Sequence, residues 1–521
     1  MLHRGTPHSR GLHPRPRPNS SAARALTCAL GILLGGALSS CSTEAEPSAR
    51  GVLLISVDSL RADHLSSYGY RSATRPEIDT TPVIDRMISA KGTRFTRAYS
   101  TTSWTLPAHM ALMTGLPNEL HGVRGIPDQL HPTRPYLAQL MRDAGWRTAG
   151  FWSGPNLHPY FGFERGFDHY EDCSSYKVED TAIFTPKDEV EFEKTVEMHE
   201  GSHEGVTGPA LVEAFTNWFE GVQEDERFFA FVHMWDVHYD YNAPREHDLF
   251  DPDYRGPIDG QGFTDLELKS PKTPKGAADL NRLIALYDAE IHFTDYNVGR
   301  MLGVLRASGR LDDTLVVFLS DHGEEFLEHE ALGHKHSLFE ESVLVPLIMR
   351  LPAVIPADAV SDEVACLTDV APTVLELTGI PIPDSMWGTS LVPALRGEAL
   401  PARILPLELS FKPAPEIWRT TVDGAIKVND VPTLDRKQRE KLFVYDVAKD
   451  PLEADPVFVP RNNPSESVKR AQAFWEELDA QAASLPVVTP EEMPDELIEG
   501  LDDVGYTGDD APKPSDLGDD E

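Results

Sequence analysis

The chain is poor in cysteine and in basic residues. Only four cysteines occur in 521 residues, too few for a disulfide framework to hold together a protein of this length. Lysine and arginine number 47 against 84 aspartates and glutamates, which gives a formal charge of −37. Because nucleic acids are bound largely through clustered basic side chains, this deficit argues against a nucleic-acid partner.

Long apolar runs are also scarce, and the one near the N-terminus is too short to span a bilayer comfortably. It covers Ala25–Leu38, follows an Arg- and His-rich start, and leads into Leu38-Ser39-Ser40-Cys41. Small residues followed by cysteine resemble a bacterial lipobox, in which the cysteine is acylated and becomes the mature N-terminus. We therefore predict an exported protein, periplasmic or on the cell surface, that is lipid-anchored to a membrane through Cys41. A plain secretory signal with an incidental cysteine is the alternative.

The hydrophobic content of 40% is sufficient for a large packed core. The acidic surplus is concentrated at the C-terminus, where residues 489–521 carry thirteen Asp or Glu against the single Lys513. That composition is typical of a solvated tail. The predicted organisation is a signal peptide (1–41), a tether (42–49), a catalytic domain (50–395), a smaller subdomain (396–485) and an acidic tail (486–521).

Three apolar runs have the length and composition of strands buried on both faces of a parallel sheet. They are Gly51–Val57, Phe228–Val232 and Leu315–Leu319. Helical patterns alternate with these runs, at Pro135–Ala144, Gly208–Glu220 and Ala278–Ser308. The alternation predicts an α/β fold whose mostly parallel central sheet carries helices on both faces. Shorter strand-like pieces from about residue 396, followed by a helix near Ser465–Ala483, predict a smaller C-terminal α+β subdomain.

Open α/β sheets place their sites in the polar residues just beyond strand ends. Four places could supply a metal and nucleophile centre: Asp58, Ser103–His109, Asp236-Val237-His238 and Asp321-His322. Taken singly each is a weak signal, because an aspartate at a strand end is often a helix cap and a lone histidine is more often structural.

Several motifs in a fixed order resemble the sulfatase family of the alkaline-phosphatase superfamily. The resemblance covers roughly residues 50–455. The motifs are Val57–Leu65, Thr105–His109 with Thr114-Gly115, Ser320–Glu324, Lys335–Glu341 and Leu367–Thr373. Their common order is far more specific than any single match. It implies the sulfatase fold, an arylsulfatase-like ester hydrolase activity and one bound divalent cation.

The chain departs from the family pattern at the residues that matter most. The family pairs a cation, usually calcium, with a formylglycine made from cysteine or serine, whereas the nucleophile position here is Thr105. The second aspartate of the metal pair is Ser59, the signature arginine is His109 and the amide ligand is His322. Formylglycine cannot be made from threonine, so the Thr105 hydroxyl must attack directly.

The departures are coherent. Asp58, Thr105, Asp321 and His322 resemble the single-metal set of lipoteichoic-acid-synthase-like enzymes, where threonine is both ligand and nucleophile. Coordination to a divalent ion makes a hydroxyl a useful nucleophile because it lowers the pKa of that hydroxyl. The predicted cofactor is therefore one divalent metal ion (Ca, Mn, Mg or Zn), and the imidazole ligand favours manganese or zinc.

The remaining catalytic roles fall to four residues. His238 is the first choice for the acid that protonates the leaving group, and His336 is the second. Lys335 would neutralise a non-bridging oxygen of the substrate, and His109 would do the same or orient Thr105. Asp236 is expected to orient His238.

Three neighbouring features have simpler interpretations. Glu324 and Glu325 are expected to face solvent. The stretch that holds His329, His334 and His336 suggests a separate zinc site, but His336 is assigned to the active site.

The sequence thus predicts a metal-dependent hydrolase of sulfate or phosphate esters. A phosphoester is favoured, because formylglycine handles sulfate by eliminating from its hydrate, a route closed to threonine. The substrate would be an anionic ester: a sulfated or phosphorylated glycan, lipid or small molecule. Two alternatives stay open, namely a phosphotransferase that passes head groups to an acceptor, and a lipoprotein that binds an anionic ligand without turnover.

Overall fold

The structure is a computed structural model that describes residues 49–174, 207–260, 274–410, 417–431, 441–491 and 493–503. The predicted signal peptide, Cys41, nearly all of the tether and the last part of the acidic tail lie outside these residues. The described residues belong to one compact unit. The predicted boundary near residue 396 stays a prediction.

The described strands fall into three sheets. In chain order they are β1 (Gly51–Val57), β2 (Thr93–Tyr99), β3 (Arg147–Trp152), β4 (His169–Asp172), β5 (Phe228–Met234), β6 (Thr314–Ser320), β7 (Glu325–Phe326), β8 (Leu332–Gly333), β9 (Leu344–Arg350), β10 (Ala359–Cys366), β11 (Ile404–Ser410), β12 (Ile417–Asp423), β13 (Ile426–Asp430), β14 (Lys441–Asp446) and β15 (Val457–Pro460). Eight of them form the central sheet, in the order β10-β2-β9-β6-β1-β5-β3-β4. Of these described strands, only β9 runs antiparallel to its neighbours.

Helices cover both faces of the central sheet. The described α-helices are α1 (Pro82–Met87), α2 (Thr105–Thr114), α3 (Asn118–His121), α4 (Leu137–Asp143), α5 (Gly208–Glu220), α6 (Ala277–Ala307), α7 (Glu340–Val343), α8 (Val370–Thr378), α9 (Val392–Leu395), α10 (Glu466–Ala483) and α11 (Asp495–Asp503). Alternate residues of β1 point to opposite sides, so Val52 packs in one core with α2 and α8, while Leu53 packs in the other with α5 and α6. The predicted α/β fold is therefore confirmed.

The second sheet is an antiparallel meander of β11 to β15 in chain order. Helix α10 begins after Ser465, whose hydroxyl accepts the N–H of Val468 as an N-cap. Val468 of this helix packs against Val428 and Leu442 of the sheet. A smaller α+β substructure therefore follows the central sheet, as predicted. Among the described residues, no helix combines the length and the apolar character needed to cross a membrane.

The start of the acidic C-terminal segment is not a solvated tail, and that prediction is wrong for residues 495–503. They form α11, in which Leu497 and Leu501 are buried in the same core as α2 and α8. Leucines four residues apart lie on one face of a helix, and Asp495 and Glu496 are exposed. The high acid content of the segment concealed this apolar stripe.

Candidate metal and nucleophile site

The register of the central sheet brings the separated motifs together. Val57 at the end of β1 pairs with Ser320 of β6 on one side and with Met234 of β5 on the other. The Ser320 hydroxyl lies 2.7 Å from the Val57 carbonyl oxygen and accepts the N–H of Leu60 at 2.9 Å. The residues that follow the two strands, Asp58 and Asp321, are therefore held side by side at the carboxyl edge of the sheet.

Asp58, Thr105, Asp321 and His322 meet in one buried cluster. The Thr105 hydroxyl donates to Asp58 Oδ2 at 3.2 Å and lies 3.4 Å from His322 Nε2. His322 Nε2 is 3.6 Å from Asp58 Oδ1 and 3.5 Å from Asp321 Oδ2. One ligand atom from each of Asp58, Asp321 and His322 lies within 4.8 Å of the other two. The structure thus brings together all four residues predicted to hold a metal.

The hydrogen bonds of this cluster leave two possible ligand atoms, His322 Nε2 and Asp321 Oδ2, directed into the cluster. The Nδ1–H of His322 donates to the Gly323 carbonyl at 2.9 Å, so the lone pair of Nε2 faces the two carboxylates. Asp321 Oδ2 is buried and accepts no hydrogen bond from the described residues. An orphaned buried carboxylate oxygen is costly unless a cation satisfies it. Two carboxylates, a hydroxyl and an imidazole therefore fit a divalent cation.

The two aspartates of the cluster differ in acidity. Burial, reinforced by the charge of Asp58, raises the pKa of Asp321 well above its ordinary value. Burial acts in the same sense on Asp58, but contact with His233 and the charges of His238 and His322 outweigh it and hold the pKa of Asp58 well below its ordinary value. Two adjacent carboxylates that cannot both ionise freely are a further indication of a cation site.

Thr105 is the first residue of α2, and Trp104 is the N-cap. The partial positive charge at the N-terminus of this ten-residue helix therefore lies beside the Thr105 hydroxyl. An anionic group transferred to that hydroxyl would be stabilised by the helix end.

His109 lies one turn further along α2 and is fully buried. Its Nδ1–H donates to the Thr105 carbonyl at 2.9 Å, and its Nε2 is 2.9 Å from the Ser56 hydroxyl. Burial, followed by the charge of His233, lowers the pKa of His109 well below its ordinary value. Of the two roles predicted for His109, this placement favours orienting Thr105.

His238 and Lys335 flank the cluster. The Nδ1–H of His238 donates to the Tyr239 carbonyl at 2.6 Å, and the ring stacks on Trp235 with centroids 3.9 Å apart. The backbone N–H of Lys335 donates to the Ser103 carbonyl at 3.0 Å, and its ammonium lies 5.5 Å from the centre of the Trp104 ring. Burial lowers the pKa of Lys335 to about 7.

His336 is directed elsewhere: its Nε2 lies 2.9 Å from Glu325 Oε2, and its Nδ1 lies 3.0 Å from the His334 carbonyl. Glu324 and Glu325 are both fully buried, so the prediction that they face solvent is wrong. Glu324 Oε1 is 3.2 Å from His334 Nδ1. A histidine partner for each carboxylate compensates for the cost of burying it.

Asp236 has a structural role. Its carboxylate accepts the backbone N–H of Thr207 at 2.6 Å and the Thr207 hydroxyl at 3.0 Å, just before α5 begins. The predicted role of Asp236 in orienting His238 stays a prediction.

Sequence reasoning missed His233 and named His334 only in a stretch that suggested a separate zinc site. His233 Nε2 lies 3.5 Å from Asp58 Oδ2, and within the described part of the chain neither ring nitrogen of His233 has a hydrogen-bond partner. The ring of His334 lies 4.5 Å from that of His322, centroid to centroid. The predicted strand ended at Val232, whereas β5 continues to Met234 and aligns His233 with Ser56 of β1. A strand two residues longer would have placed His233 near Asp58.

Comparisons with known proteins agree with this architecture. A family model described as Sulfatase matches residues 50–380, and a second, described as N-sulphoglucosamine sulphohydrolase, C-terminal, matches residues 328–478. An N-acetylglucosamine-6-O-sulfatase of Bacteroides thetaiotaomicron is 38% identical over 112 residues, which are 22% of this chain and 20% of the relative. Several curated relatives match over such segments, which span about a fifth of each relative's length. An ulvan-active sulfatase of Formosa agariphila is 25% identical over 358 residues, 66% of this chain and 65% of the relative.

Solved structures share the fold. A protein solved with its substrate D-glucosamine-2-N,6-O-disulfate superposes with a TM-score of 0.66 at 20% identity, over 86% of this chain and 100% of the other. The phosphonate monoester hydrolase of Agrobacterium radiobacter superposes with a TM-score of 0.62 at 22% identity, over 83% of this chain and 95% of the other. The Sulfatase family model matches more than half of this chain. The chain therefore belongs to the sulfatase family, within the alkaline-phosphatase superfamily.

Proposed function

We propose that this protein hydrolyses anionic esters, phosphate esters in preference to sulfate esters, with Thr105 as the nucleophile. One observation carries the proposal: the Thr105 hydroxyl lies between Asp58 Oδ2 at 3.2 Å and His322 Nε2 at 3.4 Å, at the first residue of a helix. A hydroxyl in this position lies beside both the proposed cation site and the N-terminus of α2, which would activate it and stabilise the group transferred to it.

Asp58, Asp321, His322 and Thr105 are the residues that would hold one divalent cation. When bound, the cation would lower the pKa of the Thr105 hydroxyl and offset the negative charge of the transferred group. Lys335 would bind a non-bridging oxygen of the substrate. His109 would keep Thr105 in place through its hydrogen bond to the Thr105 carbonyl, 2.9 Å long.

The reaction would proceed in two displacements. The Thr105 oxygen bonds to phosphorus, its proton passes to solvent, and the bond to the leaving oxygen breaks as a protonated His238 donates its Nε2 proton to that oxygen. Water then attacks the Thr105 ester and gives one proton to His238, while Thr105 regains a proton from solvent. A phosphothreonine can be cleaved by the same in-line route, whereas threonine cannot follow the elimination that formylglycine uses for sulfate.

An oxyanion ester of a glycan or lipid is the proposed substrate class. Two relatives support the glycan, since their names describe an N-acetylglucosamine-6-O-sulfatase and an ulvan-active sulfatase. The fold by itself does not fix sulfate as the transferred group, because a phosphonate monoester hydrolase shares it.

The decisive experiment compares nitrophenyl phosphate, bis-nitrophenyl phosphate and nitrophenyl sulfate as substrates after metal stripping and re-addition. We expect metal-dependent turnover, fastest for one of the phosphate esters, and a loss of at least ~10³-fold in kcat for Thr105→Ala. Unchanged turnover in Thr105→Ala would refute the mechanism. No turnover with any metal would favour the ligand-binding alternative, and transfer to added alcohols would favour the phosphotransferase.

We further infer lipid anchoring through Cys41, from the lipobox-like sequence Leu38-Ser39-Ser40-Cys41. The test is incorporation of labelled palmitate by bacteria that express the full chain. Label in the native protein and none in Cys41→Ser is the expected result, and equal labelling of both would contradict it.

A further inference from the structure

A second group of metal-ligating side chains lies outside the site described above. Glu325, His329 and Glu341 each offer a ligand atom within 4.8 Å of the other two. The group is largely buried, with side-chain exposures of 0%, 17% and 6%. It joins the hairpin of β7 and β8 (residues 325–333, hereafter the hairpin) to helix α7.

Both ring nitrogens of His329 face oxygen atoms. His329 Nδ1 lies 2.6 Å from Glu341 Oε1, while its Nε2 lies 3.5 Å from the Glu453 carbonyl oxygen. A neutral imidazole carries one N–H and can satisfy only one of two acceptors. His336 repeats the pattern beside Glu325, since both of its nitrogens also face oxygen atoms. Each ring must therefore carry a second proton or bind a metal ion.

The geometry around His329 is that of a ligand held in place. Its ring lies flat on Phe339, with centroids 3.6 Å apart and an interplanar angle of 10°. The contact from Nε2 to the Glu453 carbonyl oxygen orients the ring so that Nδ1 faces Glu341, and partners of this kind orient metal-binding histidines. Glu325 is fixed as well, because its Oε1 accepts the N–H groups of His329 and Ala331, both at 2.9 Å.

The hairpin also carries backbone strain that needs support. Leu327 and Glu330 both adopt φ of 70°, and Lys335 just beyond the hairpin adopts φ of 68°. Left-handed conformations of residues other than glycine persist only where the surroundings enforce them.

We propose that Glu325, His329 and Glu341 form a second divalent-metal site, able to bind zinc, that fixes the hairpin leading to His334 and Lys335. One imidazole and two carboxylates are a ligand set that zinc accepts in a four-coordinate site, with water in the fourth position. Lys335 follows the hairpin by two residues and borders the Thr105 cluster, so this ion would keep the substrate-binding lysine in position. The metal site itself does not depend on the proposed function, because the two ligand sets share no residue, whereas its effect on Lys335 rests on the role proposed for that residue.

The test counts metal. Metal-stripped full-length protein is loaded with Zn²⁺, passed through a desalting column and assayed by inductively coupled plasma mass spectrometry. We expect two equivalents in the native protein, one in His329→Gln and one in Glu341→Gln. Glu330→Gln, which alters an exposed carboxylate on the same hairpin, should retain two.

Asp321→Asn separates this site from the Thr105 cluster. It should lose one equivalent and keep the other, and adding Zn²⁺ should still raise its Tm by a few degrees. If His329→Gln fails to fold, the metal content of Glu341→Gln decides. A native count of zero, or equal counts in the native protein and both hairpin variants, would overturn the proposal and leave protonated histidine–glutamate pairs. A native count of one that Asp321→Asn retains and both hairpin variants lose would mean that the Thr105 cluster fails as a metal site while the hairpin site stands.

Discussion

Among single residues, Lys335 gives the most direct pH experiment. Burial lowers its pKa to about 7, so the side chain is a cation below that pH and neutral above it. Because the cation is the form that binds an anionic ester, we predict that kcat/KM falls as the pH rises through about 7. Lys335→Arg should extend activity to higher pH, since arginine stays protonated. Superimposable pH profiles of the two proteins would contradict the role assigned to Lys335.

A second prediction for a single residue concerns His233, which would position the carboxylate of Asp58. Its Nε2 lies 3.5 Å from Asp58 Oδ2 in a fully buried setting. Loss of such a partner typically weakens metal binding by about 10–100-fold. We predict that His233→Gln raises the metal Kd by a factor in that range, measured by competition with a chelator. His169→Gln, which alters a partly exposed histidine paired with Glu171, should leave the Kd unchanged, and equal Kd values for both variants would refute the prediction.

The meeting of Asp58 and Asp321 was predictable for a physical reason, whereas Thr105 and His322 were added to the predicted set by the family resemblance. Asp58 and Asp321 follow apolar runs, and parallel strands carry their C-terminal residues to one edge. The surroundings of Glu324 and Glu325 could not be anticipated, because their partners His334 and His336 reach them through a hairpin whose turn residues gave no pairing signal. Burial of a carboxylate depends on such tertiary partners, and composition alone favours exposure.

At the scale of secondary-structure elements, the ends of β1 and β6 are tied together by Ser320. Its hydroxyl bridges the Val57 carbonyl and the N–H of Leu60 in a fully buried position. We predict that Ser320→Ala lowers the free energy of unfolding by ~1–3 kcal/mol, because that N–H is left without its acceptor. Urea denaturation measures the change. Ser484→Ala removes an exposed hydroxyl bonded only locally to Gln481 and should change the free energy by less than ~0.5 kcal/mol; equal effects would contradict this role.

Two long helices were predictable to within one residue, and the end of strand β5 was not. The predicted helix Gly208–Glu220 matches α5, and the one predicted from Ala278 to Ser308 is shifted by one residue in α6. β5 runs past its predicted end at Val232 because backbone pairing with β1 continues through a histidine that the apolar pattern excludes. The missed histidine of the site is a direct consequence.

For the whole molecule, the alternation of side chains along β1 predicts that both faces of the central sheet are covered. It does not predict that residues 495–503 pack against the core. Leu497 and Leu501 are 2% and 0% exposed and join the core that also contains Val52 of β1. Two leucines in a strongly acidic segment give too weak a periodic signal to outweigh its charge. The segment before residue 504 therefore belongs to the folded unit.

The packing of Leu497 and Leu501 against the core should contribute to the stability of the whole protein. We predict that Leu497→Ala and Leu501→Ala each cost ~2–5 kcal/mol, the usual range for buried leucines, because a cavity replaces packed atoms. Differential scanning calorimetry of the full chain should then show a lower Tm for each variant. Val487→Ala, at a site that is 82% exposed, is the matched control and should leave the Tm unchanged. A Tm unaltered by either leucine substitution would mean that residues 495–503 do not dock on the core in solution.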